Sequence, residues 1–348
     1  MTNLILAPLR GVTVRCFRET FAAEIAAAGF TEAVTPFISA MPGIDPLKDR
    51  ELRGGAAESG IKATPQFIGK DPAALRQCLK AVKGAGYLAA GFDYLYDKVG
   101  MYDYLRGITS KNWPADGITS QWMRHGEARL KHMLYFLENH DEQRLASGFF
   151  CGDGRCAEPA MIVAATLNQC PVMIYSGQEL GERGMDMEGF SGIDGRTTIF
   201  DYWGVKSMQA WTNKGKFDGA KLSADQQELR DFYQRLLTIA RDDKAVQKGQ
   251  MYDLEYAQGE GFDKREQFAF LRHTKGETLL VVVNFHDREQ HIKVHLPNDA
   301  FVYLGLEGKA TATATDLLTN TKTQLSFVPD GDVELTLNAW KGVILRIK

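Results

Sequence analysis

The sequence predicts an α/β fold in which a parallel, barrel-type or open sheet is followed by a small antiparallel β-sandwich. Three observations indicate this. Short apolar runs alternate with helical patterns over residues 1–87, and further buried-strand patterns within 88–242 end abruptly in polar residues. Over residues 243–348 the apolar period becomes two. Strand–helix alternation gives parallel strands with right-handed crossovers, whereas period-two runs between turns are typical of a sandwich.

The first segment contains three predicted strands and two predicted helices. The strands cover 4–9, 32–38 and 62–69. Thr13 is a suitable N-cap for the first helix because apolar residues follow it at helical spacing. Asp71 and Pro72 supply the cap and the first position of a second helix that runs to about Gly84.

The middle segment contains further strand and helix patterns. An aromatic and acidic stretch covers 92–108, strands are predicted over 133–139 and 170–177, and a helix lies between them over 157–167. A clear helix follows, where Ser223 and Gln226 predict a capping box at the start of an apolar stripe over 223–241. In the last segment five strands are predicted, with the sequences QFAFLRH, TLLVVVNF, HIKVHL, VELTLN and KGVILRI.

Composition argues against several function classes. The chain has 348 residues and a net charge of −3, so it has no general attraction to nucleic acid or anionic lipid. Residues 1–87 carry 11 Lys and Arg against 8 Asp and Glu, an excess too small to indicate an RNA surface. No run approaches the length of a membrane span, and the first residues lack the features of a signal peptide, so a cytoplasmic protein is expected.

The five cysteines do not suggest a metal site, because they are scattered and no Cys-x-x-Cys pair or His-rich tract accompanies them. Cys151 and Cys156 can meet across a Gly-rich turn, but two separate loop thiols are favoured. No metal is therefore expected.

The stretch FLENHDEQR, residues 136–144, is the strongest candidate for a functional site. A short apolar run ends there in an amide, an imidazole and several acids, as in a buried strand that delivers polar groups to a cleft. The candidate residues in this stretch are Asn139, His140 and Asp141. Asp97, which ends another apolar run, and Glu179, which follows the strand at 170–177, are further candidates. For Asp97, a salt bridge with Lys98 or Arg106 is an equally good interpretation, and loop-organising hydrogen bonds are favoured for Glu179 and Glu182.

These motifs carry a resemblance to a known family. FDYLYDKVGMYDYLRGI, YFLENHDEQRLAS and PVMIYSGQELGERG resemble strands six, seven and eight of the α-amylases of glycoside hydrolase family 13, and the terminal sandwich completes the match. The resemblance implies that Asp141 corresponds to the family's third carboxylate and that His140 binds the same sugar. Strands four and five, which carry the nucleophile and the general acid in that family, have no counterpart.

A second resemblance covers residues 1–87. LILAPLRGVT, EAVTPFI and PQFIGKDPAALRQCLKAVKGAGY resemble the start of the flavin-dependent tRNA-dihydrouridine synthases. It implies that Ala7, Pro8, Leu9 and Gln66 occupy positions that contact FMN in that family. The match stops before the family's catalytic cysteine, and Cys170, although followed by proline, opens a buried strand, so a structural role is favoured for it.

Together the resemblances predict a partial (β/α) barrel of about six strands, three from each half-barrel, plus a C-terminal sandwich. The favoured function is an α-glucan- or maltooligosaccharide-directed protein with impaired catalysis and no cofactor. The alternatives are an FMN-dependent flavoprotein and a fused or rearranged chimera with no selected activity. Because six strands close a barrel poorly, homo-oligomer formation through open edges is expected.

Overall fold

The computed structural model describes residues 4–6, 14–52, 61–69, 71–87, 94–187, 192–198 and 204–348, and the chain divides into two units, Met1–Asp93 and Tyr94–Lys348. The helices are α1 (Arg15–Thr20), α2 (Ala22–Ala27), α3 (Pro72–Gly84), α4 (Asp103–Thr109), α5 (Ile118–Met123), α6 (Glu127–Leu130), α7 (Glu158–Thr166), α8 (Lys206–Thr212), α9 (Ala224–Asp242), α10 (Lys244–Lys248) and α11 (Asn298–Leu304). The strands are β1 (Leu4–Leu6), β2 (Phe30–Ser39), β3 (Lys62–Ile68), β4 (Leu95–Tyr96), β5 (Met133–Phe136), β6 (Val172–Met173), β7 (Gln250–Asp253), β8 (Gln267–Thr274), β9 (Glu277–Asn284), β10 (Gln290–Leu296), β11 (Lys309–Asp316), β12 (Lys322–Phe327), β13 (Gly331–Leu337) and β14 (Gly342–Ile347). None of the described helices is both long enough and apolar enough to cross a membrane.

The first unit is a three-stranded parallel sheet in which α1 and α2 lie between β1 and β2, and α3 follows β3. Its strand order is β1-β2-β3, as strand–helix alternation predicts. The Asp71 carboxylate accepts a 2.8 Å hydrogen bond from the Ala73 N–H, which confirms the predicted cap of α3. The single helix predicted before β2 is instead two short helices, because the backbone leaves helical geometry at Phe21, where φ is −106° and ψ is 23°. Thr13 lies outside the described residues.

The second unit begins with another three-stranded parallel sheet, in the order β4-β5-β6. Its strands are shorter than predicted, two to four residues each. Every residue of α7 is buried, since this helix is enclosed by the parallel sheet, α9 and the C-terminal sheet. At the start of α9 both bonds of the predicted capping box are present, between Ser223 and Gln226.

The C-terminal part is a two-layer antiparallel β-structure. Six strands form one sheet in the order β12-β11-β14-β9-β8-β7, and β10 pairs with β13 in the second. The five predicted strands are all present, whereas β7, β11 and β12 were not predicted. The sequence of β11, KATATATD, alternates small and β-branched residues with little apolar character, so its strand signal is weak.

The central strands of the six-stranded sheet are buried on both faces. In β8 and β9, Phe268, Phe270 and Val281 pack into one core with α7 and α9, while Leu271 and Val282 point into a second core, towards β10 and β13. Double-sided burial explains why β9 reads as a continuous apolar run rather than an alternating one.

A glycine at the start of β14 permits close packing against α7. A Cβ added at Gly342 would lie 2.8 Å from both Ile162 Cδ1 and Val283 Cγ1, a separation that real Cβ atoms do not show. The position therefore brings the sheet and α7 into direct contact.

The turn after β7 buries an acidic side chain, Glu255. Glu255 is 5% exposed, and neither carboxylate oxygen has a hydrogen-bond partner among the described residues. Burial, with the Asp253 carboxylate nearby, raises the pKa of Glu255 to about 8, and the Lys264 charge only partly opposes this shift. The folded protein therefore holds Glu255 protonated at neutral pH.

We predict that this group makes the protein less stable as pH rises. Since the folded pKa lies above the unfolded one, near 4.5, the folded state binds the proton more tightly. The stabilisation that this tighter proton binding gives the folded state is complete below pH 4.5. It declines as pH rises to about 8 and is absent above that. Glu255→Gln, which is neutral throughout, should raise the free energy of unfolding at high pH by about 2–4 kcal/mol relative to wild type.

Urea denaturation at pH 5 and pH 9 measures this effect, and Glu260→Gln, at an exposed position in the next turn, is the matched control. Identical pH dependence in wild type and Glu255→Gln would contradict the prediction.

Candidate functional site

The predicted site residues follow the strands of the second parallel sheet. Asp97 comes directly after β4, the stretch 138–142 follows β5, and Glu179 follows β6. Because β4, β5 and β6 are parallel neighbours, their carboxyl ends meet at one edge of the sheet. That edge is where ligand sites form in α/β proteins.

Asn139 organises the turn after β5. Its side-chain oxygen accepts hydrogen bonds from the backbone N–H groups of Asp141 (2.9 Å) and Glu142 (3.0 Å). Asn139 itself is buried, whereas the side chains of His140 and Asp141 are 50% and 69% exposed. The His140 Nε2 and Asp141 Oδ1 atoms lie 3.5 Å apart. The turn therefore presents an imidazole and a carboxylate side by side to solvent.

A buried ion pair lies directly behind this turn. Arg144 Nη1 is 2.6 Å from Glu138 Oε2, and both side chains are 2% exposed. The second carboxylate oxygen, Glu138 Oε1, accepts a 2.6 Å hydrogen bond from the Leu145 N–H. The ion pair thus closes the loop from Glu138 to Leu145 into a fixed shape.

Arg144 also links this loop to the segment that follows β6. Its guanidinium donates to the Ser176 carbonyl at 2.7 Å and to Thr197 Oγ1 at 2.6 and 2.9 Å. It lies 4.2 Å from the centre of the Tyr175 ring. All three guanidinium nitrogens therefore donate hydrogen bonds, four in total, so this buried charge is well compensated.

Asp97 is placed differently from the prediction. It is only 3% exposed, and its Oδ1 lies 3.2 Å from His125 Nε2. The alternative interpretation, a salt bridge of Asp97 with Lys98 or Arg106, is therefore wrong. Lys98 instead pairs with Asp103 at 2.9 Å and with Glu142 at 3.1 Å, while Arg106 donates to two backbone carbonyls. A Cβ at position 100 would collide with the Asp97 carboxylate, so the glycine there allows it to remain buried.

Glu179 and Glu182, which follow β6, form hydrogen bonds within their own loop. This is the role that the sequence favoured for them. Glu179 Oε2 accepts from the Gly177 N–H at 3.0 Å. Glu182 is buried and accepts from the Gly184 N–H at 2.9 Å and from the Ser207 hydroxyl. Both oxygens of Glu182 and one oxygen of Glu179 therefore serve the loop.

The carboxylates near Asp141 in sequence and topology are thus already engaged. Each of five carboxylates that follow the three strands has at least one polar partner, although the buried Asp97 Oδ2 has none among the described residues; the five are Asp97, Glu138, Glu142, Glu179 and Glu182. Across the described ranges, no group of three or more His, Cys, Asp or Glu side chains is arranged to hold a metal ion.

Cysteine chemistry does not add to this site. Cys151 and Cys156 are joined by a disulfide across the Gly-rich turn, so the expectation of two separate thiols is wrong. Burial raises the pKa of the Cys170 thiol to about 12, which makes it a poor nucleophile.

Of the four residues named for the flavin resemblance, the structure describes Gln66. Ala7, Pro8 and Leu9 lie outside the described residues. In the first unit, the Gln66 N–H donates to Thr35 Oγ1 at 3.0 Å, while the buried side-chain oxygen Oε1 has no partner among the described residues.

Sequence reasoning missed three residues that shape the site: Arg144, His125 and Thr197. Arg144 lies within the stretch FLENHDEQR, six residues after Glu138. That spacing was the sequence feature that could have indicated their ion pair. The partners His125 and Thr197 are 28 and 53 residues away from the groups they contact, and no local pattern marks them.

Comparison with known proteins points to the α-amylases. Residues 262–348 match the model of the α-amylase C-terminal all-beta domain. A stretch of 158 residues, 45% of this chain and 23% of the relative, is 26% identical to α-amylase 2 of Dictyoglomus thermophilum. The chain therefore matches less than a quarter of that protein's length.

Solved α-amylases share the fold. The noncanonic maltogenic α-amylase AmyB from Thermotoga neapolitana is 12% identical with a TM-score of 0.55, over 96% of this chain and 65% of that one. The α-amylase from Geobacillus thermoleovorans, solved with acarbose, is 14% identical with the same TM-score, over 96% of this chain and 64% of that one. At these identities the likeness establishes the fold alone. The comparisons give no support to the dihydrouridine-synthase resemblance of residues 1–87.

We predict that Arg144→Lys destabilises the protein strongly. A lysine cannot reach Glu138, Ser176 and Thr197 together, so the buried Glu138 charge loses compensation. The free energy of unfolding should fall by about 2–4 kcal/mol in urea denaturation.

The matched control is Arg155→Lys, because Arg155 forms its ion pair with Asp153 at a 38% exposed position. A change below about 1 kcal/mol is expected there. Equal effects in the two variants would show that the buried pair is not the main constraint.

Proposed function

We propose that this chain is an α-glucan-directed protein of α-amylase descent, which binds maltooligosaccharides at His140 and Asp141 and hydrolyses them slowly or not at all. The observation that supports this most directly is the Asn139 turn. It exposes an imidazole and a carboxylate at the carboxyl edge of a parallel sheet, within a chain that has the fold of the α-amylases.

The chemistry of the exposed pair suits a sugar. A carboxylate accepts hydrogen bonds from neighbouring hydroxyl groups, and an imidazole donates or accepts one according to its protonation. The Glu138–Arg144 pair behind the turn keeps both groups in place without binding the ligand itself. Pre-organisation of this kind reduces the entropy lost on binding.

Slow hydrolysis follows from the state of the remaining acids. A retaining glycosidase uses two carboxylates about 5–5.5 Å apart, one as nucleophile and one as general acid. Around the β5 turn, the described carboxylates other than Asp141 are held in structural hydrogen bonds or ion pairs. In our proposal Asp141 therefore orients sugar hydroxyls but has no reacting partners.

We predict that Asp141→Asn weakens maltotriose binding by about tenfold, and that His140→Ala has a similar effect, because each removes one charged or ring hydrogen-bond partner. Titration calorimetry measures the affinity. Asp287→Asn, at a 63% exposed carboxylate in the turn between β9 and β10, should bind like wild type.

Release of reducing sugar from starch tests the catalytic part of the proposal. A background rate shared by wild type and Asp141→Ala supports it. Rapid turnover that Asp141→Ala abolishes would overturn it, since a working nucleophile and acid would then have to be present.

A second candidate function is flavin binding by the first unit, and one observation favours it. The buried Gln66 Oε1 has no partner among the described residues, which is the state expected of an acceptor awaiting a ligand N–H. Gln66 and positions 7–9 would hold the flavin, whose isoalloxazine ring would supply redox chemistry.

Titration with FMN, followed by quenching of flavin fluorescence, tests this candidate. Gln66→Leu should abolish any binding, while Gln77→Leu, an exposed glutamine on α3, should not. A wild-type protein that leaves flavin fluorescence unchanged removes the candidate. A chain that binds neither flavin nor glucan would instead fit the third interpretation, a rearranged chimera without activity.

A further inference from the structure

The segment at the end of α8 and before α9 holds an aromatic pair that is partly open to solvent. Trp211, near the end of α8, is half-buried, and Phe217 is 59% exposed. Their ring centres are 5.3 Å apart in an edge-to-face arrangement. Hydrophobic burial does not explain an aromatic side chain that stays largely in solvent.

The backbone that presents Phe217 is strained. Phe217 has φ of 53°, and Asn213 and Lys214 also have positive values, 41° and 58°. Left-handed backbone is rare for a bulky residue and costs about 1–2 kcal/mol for each residue. Hydrogen bonds from the Phe217 N–H to the Thr212 carbonyl (3.0 Å) and from the Gly219 N–H to the Trp211 carbonyl (3.3 Å) hold the conformation. Strain maintained in this way is typical of functional surfaces.

A small polar cleft adjoins the two rings. Its volume is about 260 Å³, and Trp211 and Phe217 line it together with four polar side chains. These are Asp218, Gln227, Arg230 and Asp231. The Arg230 guanidinium lies over the Trp211 ring, 5.4 Å from its centre. Hydrogen bonds from Asn213 and the Ala220 N–H lower the pKa of Asp218, so its carboxylate is a charged acceptor.

We propose that the Trp211–Phe217 cleft is a second binding site for α-glucan chains, separate from the Asn139 turn. This proposal rests on the proposed function above. Sugar rings present C–H faces that stack on aromatic rings, and they surround those faces with hydroxyl groups that need donors and acceptors. The cleft offers both kinds of partner. It is smaller than the roughly 300–1,000 Å³ of pockets for drug-sized ligands, which suits one glucosyl unit of a longer chain.

The charges at the cleft favour a neutral ligand. Two aspartates and one arginine surround the rings, so the cleft offers no excess of positive charge for phosphate or nucleic acid. None of the residues that line it belongs to the turn after β5. A long glucan that engages both sites gains avidity, whereas maltotriose, which binds at the Asn139 turn, does not.

Electrophoresis in gels that contain soluble starch tests the proposal, with maltotriose calorimetry in parallel. Phe217→Asn removes the ring, yet asparagine tolerates positive φ, so the variant should fold with an unchanged or higher midpoint of thermal unfolding. We expect starch binding to weaken at least fivefold while maltotriose affinity at His140 and Asp141 stays unchanged. Phe217→Tyr, which retains an aromatic ring, should bind starch like wild type.

The matched control is Tyr303→Asn, on α11, because Tyr303 is also 59% exposed. It should bind starch like wild type. Normal starch binding by Phe217→Asn, or an equal loss in the Tyr303 variant, would overturn the second site.

The same experiment separates this proposal from the proposed function. Starch binding that requires Phe217, in a protein that does not bind maltotriose, would support the second site and refute binding at the Asn139 turn. Maltotriose binding that requires Asp141, with starch binding unaffected by Phe217, would do the reverse. A wild-type protein that binds neither glucan refutes both.

Discussion

The candidate site depends on the ion pair and hydrogen bonds formed by the buried guanidinium of Arg144. The guanidinium neutralises Glu138 at the end of β5 and binds the Ser176 carbonyl and Thr197 beyond β6. Two loops far apart in sequence are thereby held against each other at one edge of the parallel sheet. The Asn139 turn adds a local constraint, and the two together expose His140 and Asp141 in one arrangement. The exposed side chains of His140 and Asp141 contribute little to this arrangement, which is held by Glu138, Asn139 and Arg144.

Local sequence signals predicted much of the fold. The cap of α3 and the capping box of α9 depend on residues within three positions of one another, and β8, β9 and β14 have strong apolar patterns. The errors occurred where local signals were weak. Strand β11 is built from alanine and threonine, and the helix before β2 is interrupted at Phe21 by backbone geometry that no residue in its sequence requires.

The site was predictable only in part, for a related reason. Its exposed groups lie in one contiguous motif, so Asn139, His140 and Asp141 were identifiable. Their supporting contacts are long-range. Asp97 contacts His125 and not the neighbouring lysine or arginine that was the alternative interpretation, and the Cys151–Cys156 bond depends on how a Gly-rich turn closes. Such pairings are set by tertiary packing, which a single sequence does not display.

The double-sided burial of β8 and β9 limits how this chain can be divided. One face of those strands completes the core around α7 and α9, so the C-terminal β-structure is not a detachable appendage. Cutting the chain near residue 250 would separate Phe268 and Phe270 from the helices they pack against. Both fragments would then expose an apolar, aggregation-prone surface. Recombination, natural or deliberate, that transplants this β-module would therefore have to carry the two helices along with it.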